Sequence, residues 1–282
     1  MIDGHVHLIT RSIIEDAYRE IGMDPPSRSE GSPFFEEDAD ITQFKKEWLR
    51  IMDQHDLEKA VFMGLSAGNK EFTEFISSSD RFFGLTSVDP TQPDAVITVK
   101  KEIAAGMKGV KLYPPLKRFS VADKRAYEVY EYCNTSRIPI VIHFGITIGP
   151  KCDLRFGNPL DLSPVISDFP KLPFIIAHFG AGFFREALML TYKKDNVYFD
   201  TSGTNNWLCY HPHSLSLTDV FKQTVSIVGA DHVIFGTDTR LRPDPYRLEL
   251  LTQQKSILNL LLTRQDVELV MGKNADRIFK LG

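Results

Sequence analysis

The sequence predicts a single-domain (β/α)8 barrel, the TIM-barrel architecture, over residues 1–282. Three observations support this fold class. Eight short apolar runs rich in β-branched residues recur along the chain, helix-period segments separate most of them, and no shift in composition marks a second domain. Strands that are apolar on both faces and alternate with helices indicate a parallel sheet covered on both sides. Eight such units are the number that closes a barrel.

The individual elements follow from the local patterns. The predicted strands, in order, are 2–7, 60–64, 82–88, 109–113, 139–143, 173–178, 196–200 and 232–237. Helices are predicted where apolar residues recur every three or four positions, at 44–57, 120–136, 215–229 and 247–262, with a closing helical segment at 266–281 that breaks near Gly272. A Ser120-x-x-Asp123 capping pattern opens the second of these helices. Residues 22–40, with several prolines and an acidic run, are predicted to form a long loop after the first strand.

Composition excludes several functional classes. The net charge is −4 and no block of lysine and arginine is present, so nucleic acid is not an expected partner. No apolar stretch approaches the length of a membrane span, and the first strand begins too early to leave room for a signal peptide. The three cysteines are widely spaced, which indicates a reducing compartment. We therefore expect a cytoplasmic protein without membrane partners; a homo-oligomer is compatible with the sequence.

Histidines and one aspartate stand at the ends of predicted strands. His5 and His7 end the first run two residues apart, so in a strand their side chains point to the same face. His143, His178 and Asp238 end the fifth, sixth and eighth runs. Because the carboxyl ends of barrel strands meet at one face, these five side chains should converge. A lone histidine is more often a structural residue, but five metal-type side chains at matching strand ends predict a metal centre.

The chemistry of this set favours zinc, with another divalent metal such as Mn²⁺ as the alternative. Neutral imidazoles and one carboxylate suit Zn²⁺, with water completing the site. A bound divalent ion can lower the pKa of its water to about 7, which produces a hydroxide nucleophile at neutral pH. Asp238 would accept the proton and pass it to the leaving group, and His178 would stabilise negative charge on the attacked oxygen.

Motifs along the whole chain resemble the amidohydrolase superfamily, specifically its amidohydrolase-related (amidohydrolase 2) branch, which contains aminocarboxymuconate-semialdehyde decarboxylase and related metal-dependent hydrolases. The similar segments are IDGHVH at 2–7, DRFFGLTSVDP at 80–90, GVKLYP at 109–114, IVIHFG at 140–145, IIAHFGAG at 175–182, YFDTSG at 198–203, IFGTD at 234–238 and the closing DVELVMGKNADRIFKL. The motifs keep their barrel order, which makes the resemblance specific for the family but not for the substrate.

The resemblance implies roles for individual residues. His5 and His7 match the HxH metal ligands, His143 matches the strand-5 ligand, and Asp238 matches the strand-8 aspartate that binds metal and relays a proton. His178 matches a histidine that polarises the substrate or activates water in mononuclear members and binds a second metal in binuclear members. Both alternatives for His178 stay open at this point.

Lys111 ends the fourth predicted strand, where some superfamily members carry a carbamylated lysine that bridges two metals. We expect Lys111 instead to contact a charged substrate or a neighbouring group of the site. Asp200 on strand 7 is expected to be a supporting or structural carboxylate.

Basic residues gather in the loops that follow the strands, namely Lys117, Arg118, Arg155, Arg185, Arg240 and Arg242. In a chain of net negative charge this asymmetry favours a small anionic organic substrate, most simply a carboxylate. Arg240 is the best candidate for substrate binding, because it lies two residues beyond Asp238. Phe144, Asn205 and Trp207 are further candidates for lining the pocket.

Three other histidine positions are also candidates for functional roles. His55 on the 44–57 helix and His232 at the start of strand 8 are expected to be structural. His211-Pro212-His213 repeats the HxH spacing, but proline in a loop denies it the strand geometry, so a second metal or a substrate contact there is the weaker reading.

The sequence thus predicts a metal-dependent hydrolase that cleaves an ester, lactone or amide bond in a small carboxylate-bearing molecule. The alternative is a non-oxidative decarboxylase, since the branch contains both activities with nearly the same ligands. A catalytically silent ligand-binding barrel is a third reading, against which the complete ligand set argues.

Overall fold

A computed structural model of the chain describes residues 1–25, 40–147, 149, 151–192, 194–211, 214–240 and 246–282. Across these ranges, eight parallel strands follow one another in chain order around one sheet. They are β1 Ile2–Val6, β2 Lys59–Met63, β3 Phe82–Ser87, β4 Gly109–Leu112, β5 Ile140–Ile142, β6 Phe174–Ile176, β7 Val197–Asp200 and β8 Val233–Ile234. Each one lies within or beside a predicted run.

The sheet curls until its last strand meets its first. The amide of Gly4 donates to the carbonyl of Phe235 at 2.9 Å, and the amide of His7 donates to the carbonyl of Thr239 at 2.8 Å. Val6 and Thr239 form a parallel bridge. Side chains at this seam are small where the strands approach: a Cβ on Gly4 would lie 2.6 Å from Ile234 Cγ2. The predicted single-domain (β/α)8 barrel is confirmed.

Helices alternate with the strands. In the part of the chain that the structure describes they are α1 Arg11–Glu20, α2 Ile41–Gln54, α3 Lys70–Ser77, α4 Ala95–Ala104, α5 Pro114–Lys117, α6 Tyr127–Ser136, α7 Ser163–Asp168, α8 Phe184–Met189, α9 Leu217–Val228, α10 Leu248–Leu261, α11 Arg264–Glu268 and α12 Asn274–Phe279. None of these helices combines the length and the apolar character needed to cross a membrane.

Side-chain caps set several helix starts. Asp40 accepts hydrogen bonds from the amides of Thr42 and Gln43, so α2 begins three residues before its predicted start. The predicted start at Ser120 is wrong, because Asp123 is the capping residue and the first turn, Lys124–Ala126, is a 3₁₀ helix. Helix α1 was not predicted, although its apolar residues Ile13, Ile14, Ala17 and Tyr18 have helical spacing.

The closing segment is helical and broken, as predicted. A π-helical turn, Leu269–Lys273, separates α11 from α12, and Gly272 has non-helical backbone angles within it. Most of the predicted loop at 22–40 falls on residues 26–39, outside the described residues.

Two apolar layers hold the barrel together. Inner side chains from β2, β3, β5 and β6, such as Met63, Leu85 and Val141, pack with residues of α12. Outer side chains such as Phe62 pack against the surrounding helices, with the Trp48 ring edge-on at 4.9 Å. Burial on both faces explains the continuous apolar runs in the sequence.

The first strand carries a β-bulge that decides which of its side chains face inward. Asp3 pairs with Ala60 but Val6 pairs with Phe62, so β1 has one extra residue between these pairs. Asp3 therefore faces the outer layer, whereas His5 faces the interior. A bulge beside a functional site commonly re-aims a side chain in this way.

Candidate metal centre

Five predicted site residues meet at the carboxyl-terminal face of the barrel. His5 lies near the end of β1 and His7 directly follows that strand. His143 directly follows β5, His178 lies two residues beyond β6, and Asp238 lies four residues beyond β8. The convergence inferred from the strand ends is therefore present in three dimensions.

The tightest group consists of His5, His178 and Asp238. One potential ligand atom from each lies within 4.8 Å of the others. The remaining two histidines each adjoin one member of this group: His7 Nε2 lies 3.1 Å from Asp238 Oδ1, and His143 Nδ1 lies 3.0 Å from His178 Nε2.

Hydrogen bonds fix the tautomer of His5. Its Nδ1 lies 2.8 Å from Asp200 Oδ2, and an ionised carboxylate can only accept, so Nδ1 carries the proton. Nε2 is then unprotonated. This atom is buried and has no hydrogen-bond partner among the described residues; Asp238 Oδ1 is 3.8 Å away. The pairing of a carboxylate with the far nitrogen of a histidine is typical of metal ligands.

The same argument assigns His178 and His143. The Ser202 hydroxyl donates to Asp200 Oδ1 in a short contact, so its oxygen accepts from His178 Nδ1 at 2.8 Å. His143 Nε2 lies 3.1 Å from the carbonyl oxygen of Ile146, which can only accept. His178 Nε2 and His143 Nδ1 are therefore both unprotonated, yet they lie 3.0 Å apart.

Two lone pairs at this distance repel each other unless a positive centre lies between or beside them. A shared proton is one solution and a metal cation is the other. Burial lowers the pKa of His143 well below its usual value, and burial likewise lowers the pKa of His178. Burial and the charge of Lys111 lower the pKa of His5 to about 3. Neutral imidazoles are the form that binds metal, so these residues fit a divalent cation.

The carboxylates are held in their ionised form. Burial acts to raise the pKa of Asp238, but its contacts with the surrounding histidines, first the hydrogen bond with His7, outweigh it and hold that pKa well below its usual value. Burial acts on Asp200 in the same way and is outweighed by the hydrogen bond from His5 and by the charge of Lys111. The site thus combines ionised oxygen donors with neutral nitrogen donors.

An unusual backbone positions His178. This residue, Phe179 and Ala181 all have left-handed φ angles of 56°, 53° and 41°. The turn is held by the amide of His178, which donates to Asp200 Oδ1 at 3.0 Å, and by the amide of Ala181, which donates to the carbonyl of His178 at 2.9 Å. Such conformations cost about 1–3 kcal/mol each for non-glycine residues and cluster at functional sites.

Lys111 lies inside the barrel on β4. Its side chain has no solvent exposure, and Nζ has no hydrogen-bond partner within the described part of the chain. The ammonium lies 5.0 Å from the ring centre of Tyr113. Burial lowers the pKa of Lys111 to about 8, against the opposing pull of Asp200 and Asp238.

The predicted pocket-lining residues differ in burial: Arg240 is partly exposed, whereas the other three are buried. Arg240 follows Asp238 and remains partly exposed. Asn205 is buried with a left-handed φ of 58° and donates to the carbonyl of Gly203, while Trp207 packs on Phe184 at 6.0 Å. Phe144 is fully buried in the outer apolar layer.

Sequence reasoning missed two contributors to the site. Ser202 connects Asp200 to His178 and His5, and Arg247 Nη1 donates to Asp238 Oδ2 at 3.2 Å. Ser202 stands two residues after Asp200, a spacing that could have indicated it. Arg247 lies nine residues beyond Asp238, and no local pattern marks it.

His55 and His232 do not belong to this site. His55 stacks on Tyr246 with ring centres 5.4 Å apart, and His232 stacks on Tyr198 at 4.6 Å, which agrees with structural roles. Of the second HxH motif, only His211 is described, and its ring contacts Trp207. Pro212, His213 and Arg242 lie outside the described residues.

Comparison with protein families gives one whole-chain match. The family model described as amidohydrolase matches residues 2–281. No curated protein sequence matches the chain.

Several solved structures share the fold. A probable 2-pyrone-4,6-dicarboxylic acid hydrolase from Acinetobacter baumannii with bound citric acid has a TM-score of 0.69 at 16% identity, covering 99% of this chain and 98% of the other. A zinc-bound amidohydrolase from Burkholderia multivorans has a TM-score of 0.66 at 13% identity, covering 100% and 99%. A 5-carboxyvanillate decarboxylase from Sphingomonas paucimobilis has a TM-score of 0.62 at 14% identity, covering 100% and 99%.

Proposed function

The chain belongs to the amidohydrolase family, and from that premise we propose that it is a metal-dependent hydrolase of a small carboxylate-bearing molecule. The bond cleaved is an ester, lactone or amide, and the attacking group is water. The observation that carries the proposal is the set of unprotonated imidazole nitrogens that face one another beside Asp238.

The proposed cation is zinc, held by His5, His143, His178 and Asp238, with His7 beside the carboxylate. Three nitrogen donors and one oxygen donor are a set that zinc prefers, and Mn²⁺ is the alternative. When bound, a divalent ion supplies Lewis acidity and lowers the pKa of water to about 7. The zinc-bound amidohydrolase of the same fold supports this choice of metal.

Each side chain then has a defined task. Asp238 is ionised and its Oδ1 faces the centre, so it can accept a proton from the attacking water and deliver it to the leaving group. His178 has no proton on Nε2, because its proton lies on Nδ1 toward Ser202. This arrangement favours the ligand role of His178 over the role of polarising the substrate.

A carboxylate-bearing substrate is supported by two positively charged side chains, Arg240 and Lys111. Arg240, two residues beyond Asp238 and partly exposed, can form a bidentate contact with a carboxylate. Lys111 contributes a fixed positive charge from within the barrel. The names of two proteins of the same fold, a pyrone dicarboxylic acid hydrolase and a carboxyvanillate decarboxylase, also refer to carboxylates.

Metal analysis of two variants tests the centre. We expect about one divalent ion per purified chain and a clear loss of occupancy in His178→Asn and in Asp238→Ala. If His178 instead polarises the substrate, His178→Asn should keep the ion and lose about 10²- to 10³-fold in kcat. His232→Asn is the control, because His232 stacks on Tyr198 and bonds the carbonyl of Asp195, away from the site residues. Unchanged occupancy in both site variants would reject these ligands.

Decarboxylation is the second candidate, and the unpaired ammonium of Lys111 is the observation that favours it. A fixed buried cation can stabilise the negative charge that develops as CO₂ leaves. A panel of lactones, esters, amides and aromatic acids that bear carboxylates, with separate readouts of acid release and CO₂ release, separates the two reactions. Arg240→Ala should mainly raise KM with a hydrolysed substrate. No turnover of any compound by the metal-loaded protein would favour the ligand-binding reading.

A further inference from the structure

We propose that Asp3, which lies outside the barrel wall, is a positioning residue that sets the conformation of Asp238. The inference rests on the proposed role of Asp238 at the metal centre. Asp3 is two residues from His5 in sequence, but the bulge between Asp3 and Val6 puts the two side chains on opposite sides of the strand, with Asp3 outside. It has no solvent exposure, so its carboxylate must be satisfied entirely by the protein.

Four hydrogen bonds converge on this carboxylate. Oδ1 accepts from the amide of Thr237 at 3.0 Å and from the amide of His5 at 3.3 Å. Oδ2 accepts from the Thr237 hydroxyl at 2.7 Å and from the Tyr246 hydroxyl at 3.0 Å. Asp3 thereby joins β1, the segment after β8 and Tyr246, which lies two residues before α10. Two of its four donors belong to Thr237, the direct neighbour of Asp238.

The network continues to the other side of Asp238. The hydroxyls of Thr237 and Thr239 lie 2.7 Å apart, and the amide of Thr239 donates to Thr237 Oγ1 at 3.2 Å. Asp238 lies between these residues with a left-handed φ of 59°. Its amide donates to the carbonyl of His5 at 2.8 Å. The left-handed turn is therefore closed on one side by β1 and on the other by two threonines attached to Asp3.

The same network also holds the guanidinium of Arg247 against the carboxylate of Asp238. The amide of Arg247 donates to Thr239 Oγ1 at 3.1 Å, and its guanidinium donates to Asp238 Oδ2 at 3.2 Å and to the carbonyl of Thr237 at 3.3 Å. With Oδ2 occupied, Oδ1 is the oxygen left toward His7 and His5. Asp3 therefore determines both the backbone of Asp238 and, through Thr239 and Arg247, which of its oxygens faces the centre.

A purely structural role for Asp3 would predict lower stability and nothing else, so the test needs a second readout. The variant is Asp3→Asn, which keeps the shape but replaces one acceptor oxygen with an amide donor facing other donors. Asn196→Ala is the matched control: Asn196 is also buried, and its side-chain amide donates to the carbonyls of Ile166, Phe169 and Leu172, remote from Asp238. Both variants should lower the melting temperature.

Zinc affinity and the visible spectrum of the Co²⁺-substituted protein are the discriminating measurements. Asp3→Asn should weaken zinc binding by about 10- to 100-fold, the usual effect of losing a residue that orients a ligand, and should alter the Co²⁺ spectrum. Asn196→Ala should leave both unchanged. If Asp3→Asn binds zinc like the wild type, or if Asn196→Ala weakens binding equally, the inference is overturned.

Three further variants keep the test decisive. Thr237→Val removes the hydroxyl link without altering charge, and it should weaken zinc binding in the same direction even if Asp3→Asn fails to fold. If Asp3 acts through Thr237, the double variant should lose less affinity than the two separate losses combined; independent losses would count against the pathway.

Asp238→Asn separates this inference from the centre itself. Weak binding by Asp238→Asn with normal binding by Asp3→Asn and Thr237→Val rejects only the role of Asp3, whereas a wild type that binds no divalent ion rejects both.

Discussion

At the scale of single residues, Lys111 is a cation buried inside the barrel, and its ammonium has no hydrogen-bond partner in the described part of the chain. Its side chain is fully buried and unpartnered, and burial lowers its pKa to about 8 from 10.5. Replacing a buried charge with an apolar side chain of similar shape is often stabilising. A residue kept at the expense of stability is a candidate for function.

Lys111→Met should therefore raise the free energy of unfolding of the metal-free protein by about 3 kcal/mol at pH 7, which corresponds to the lowered pKa. The folded chain releases this proton near pH 8 and the unfolded chain near pH 10.5. The destabilisation caused by the buried ammonium is complete below pH 8 and disappears as the pH rises through 10.5. The stability gained by Lys111→Met should therefore shrink in that interval. Urea denaturation at pH 7 and pH 9.5 measures it. Lys111→Arg keeps the charge and should show no gain; equal stability of the methionine variant and the wild type would contradict the prediction.

At the scale of elements, the seam between β1 and the end of β8 determines whether the site forms. Gly236 lies where the two segments approach, and a Cβ there would lie 2.8 Å from His5 Cβ and 3.1 Å from Ser202 Cβ. Neither neighbour can move freely, because both belong to the hydrogen-bond network around Asp200.

Gly236→Ala should destabilise the fold by about 1–3 kcal/mol through overpacking and also weaken metal binding, because relief of the clash displaces His5. Gly84→Ala is the control, since its added Cβ would contact Met107 Sδ at 2.8 Å and Ile76 Cγ1 at 2.9 Å on the far side of the barrel. That variant should lose stability but keep zinc affinity. Isothermal titration with zinc distinguishes them, and equal affinities in the two variants would show that the seam does not position His5.

At the scale of the whole molecule, the centre makes stability depend on pH and on metal. Burial lowers the pKa values of His5, His143 and His178, so the unfolded chain takes up protons below pH 6.5 that the folded chain refuses. Asp3 acts in the opposite direction, because burial raises its pKa from 3.8 to about 6 and the folded chain takes up that proton first. The three histidines together outweigh Asp3, so the unfolded chain binds more protons than the folded chain at acidic pH.

Metal-free protein should accordingly lose stability as the pH falls from 7 to 5, by up to about 1.4 kcal/mol per pH unit for each uncompensated proton. Urea denaturation of chelator-treated protein checks this, and a stability that stays constant or rises on acidification would refute the assignment of neutral histidines. Zinc at 100 times its dissociation constant should restore about 2.7 kcal/mol at pH 7. Asp238→Ala should show little of this zinc effect.

The sequence by itself determined the barrel and the list of residues at its mouth. Apolar runs buried on both faces cannot be confused with surface strands. The first, fifth, sixth and eighth strands end one to four residues before a histidine or aspartate, so strand order places those residues at one face. Helix starts were less predictable, because Asp123 rather than Ser120 caps its helix through a local hydrogen bond that either residue could have formed.

Only the tertiary structure decided which groups of the site hydrogen-bond to one another. The proton positions on His5, His143 and His178 depend on partners as distant in sequence as Asp200. Arg247 reaches Asp238 only because the segment after β8 folds back, and Asp3 and His5 face opposite sides of β1 only because a bulge lies between Asp3 and Val6. Periodicity reports which face of an element is apolar. It carries no information on which buried polar atoms pair across a seam that closes between residues more than two hundred positions apart, because those pairs exist only once the barrel has closed.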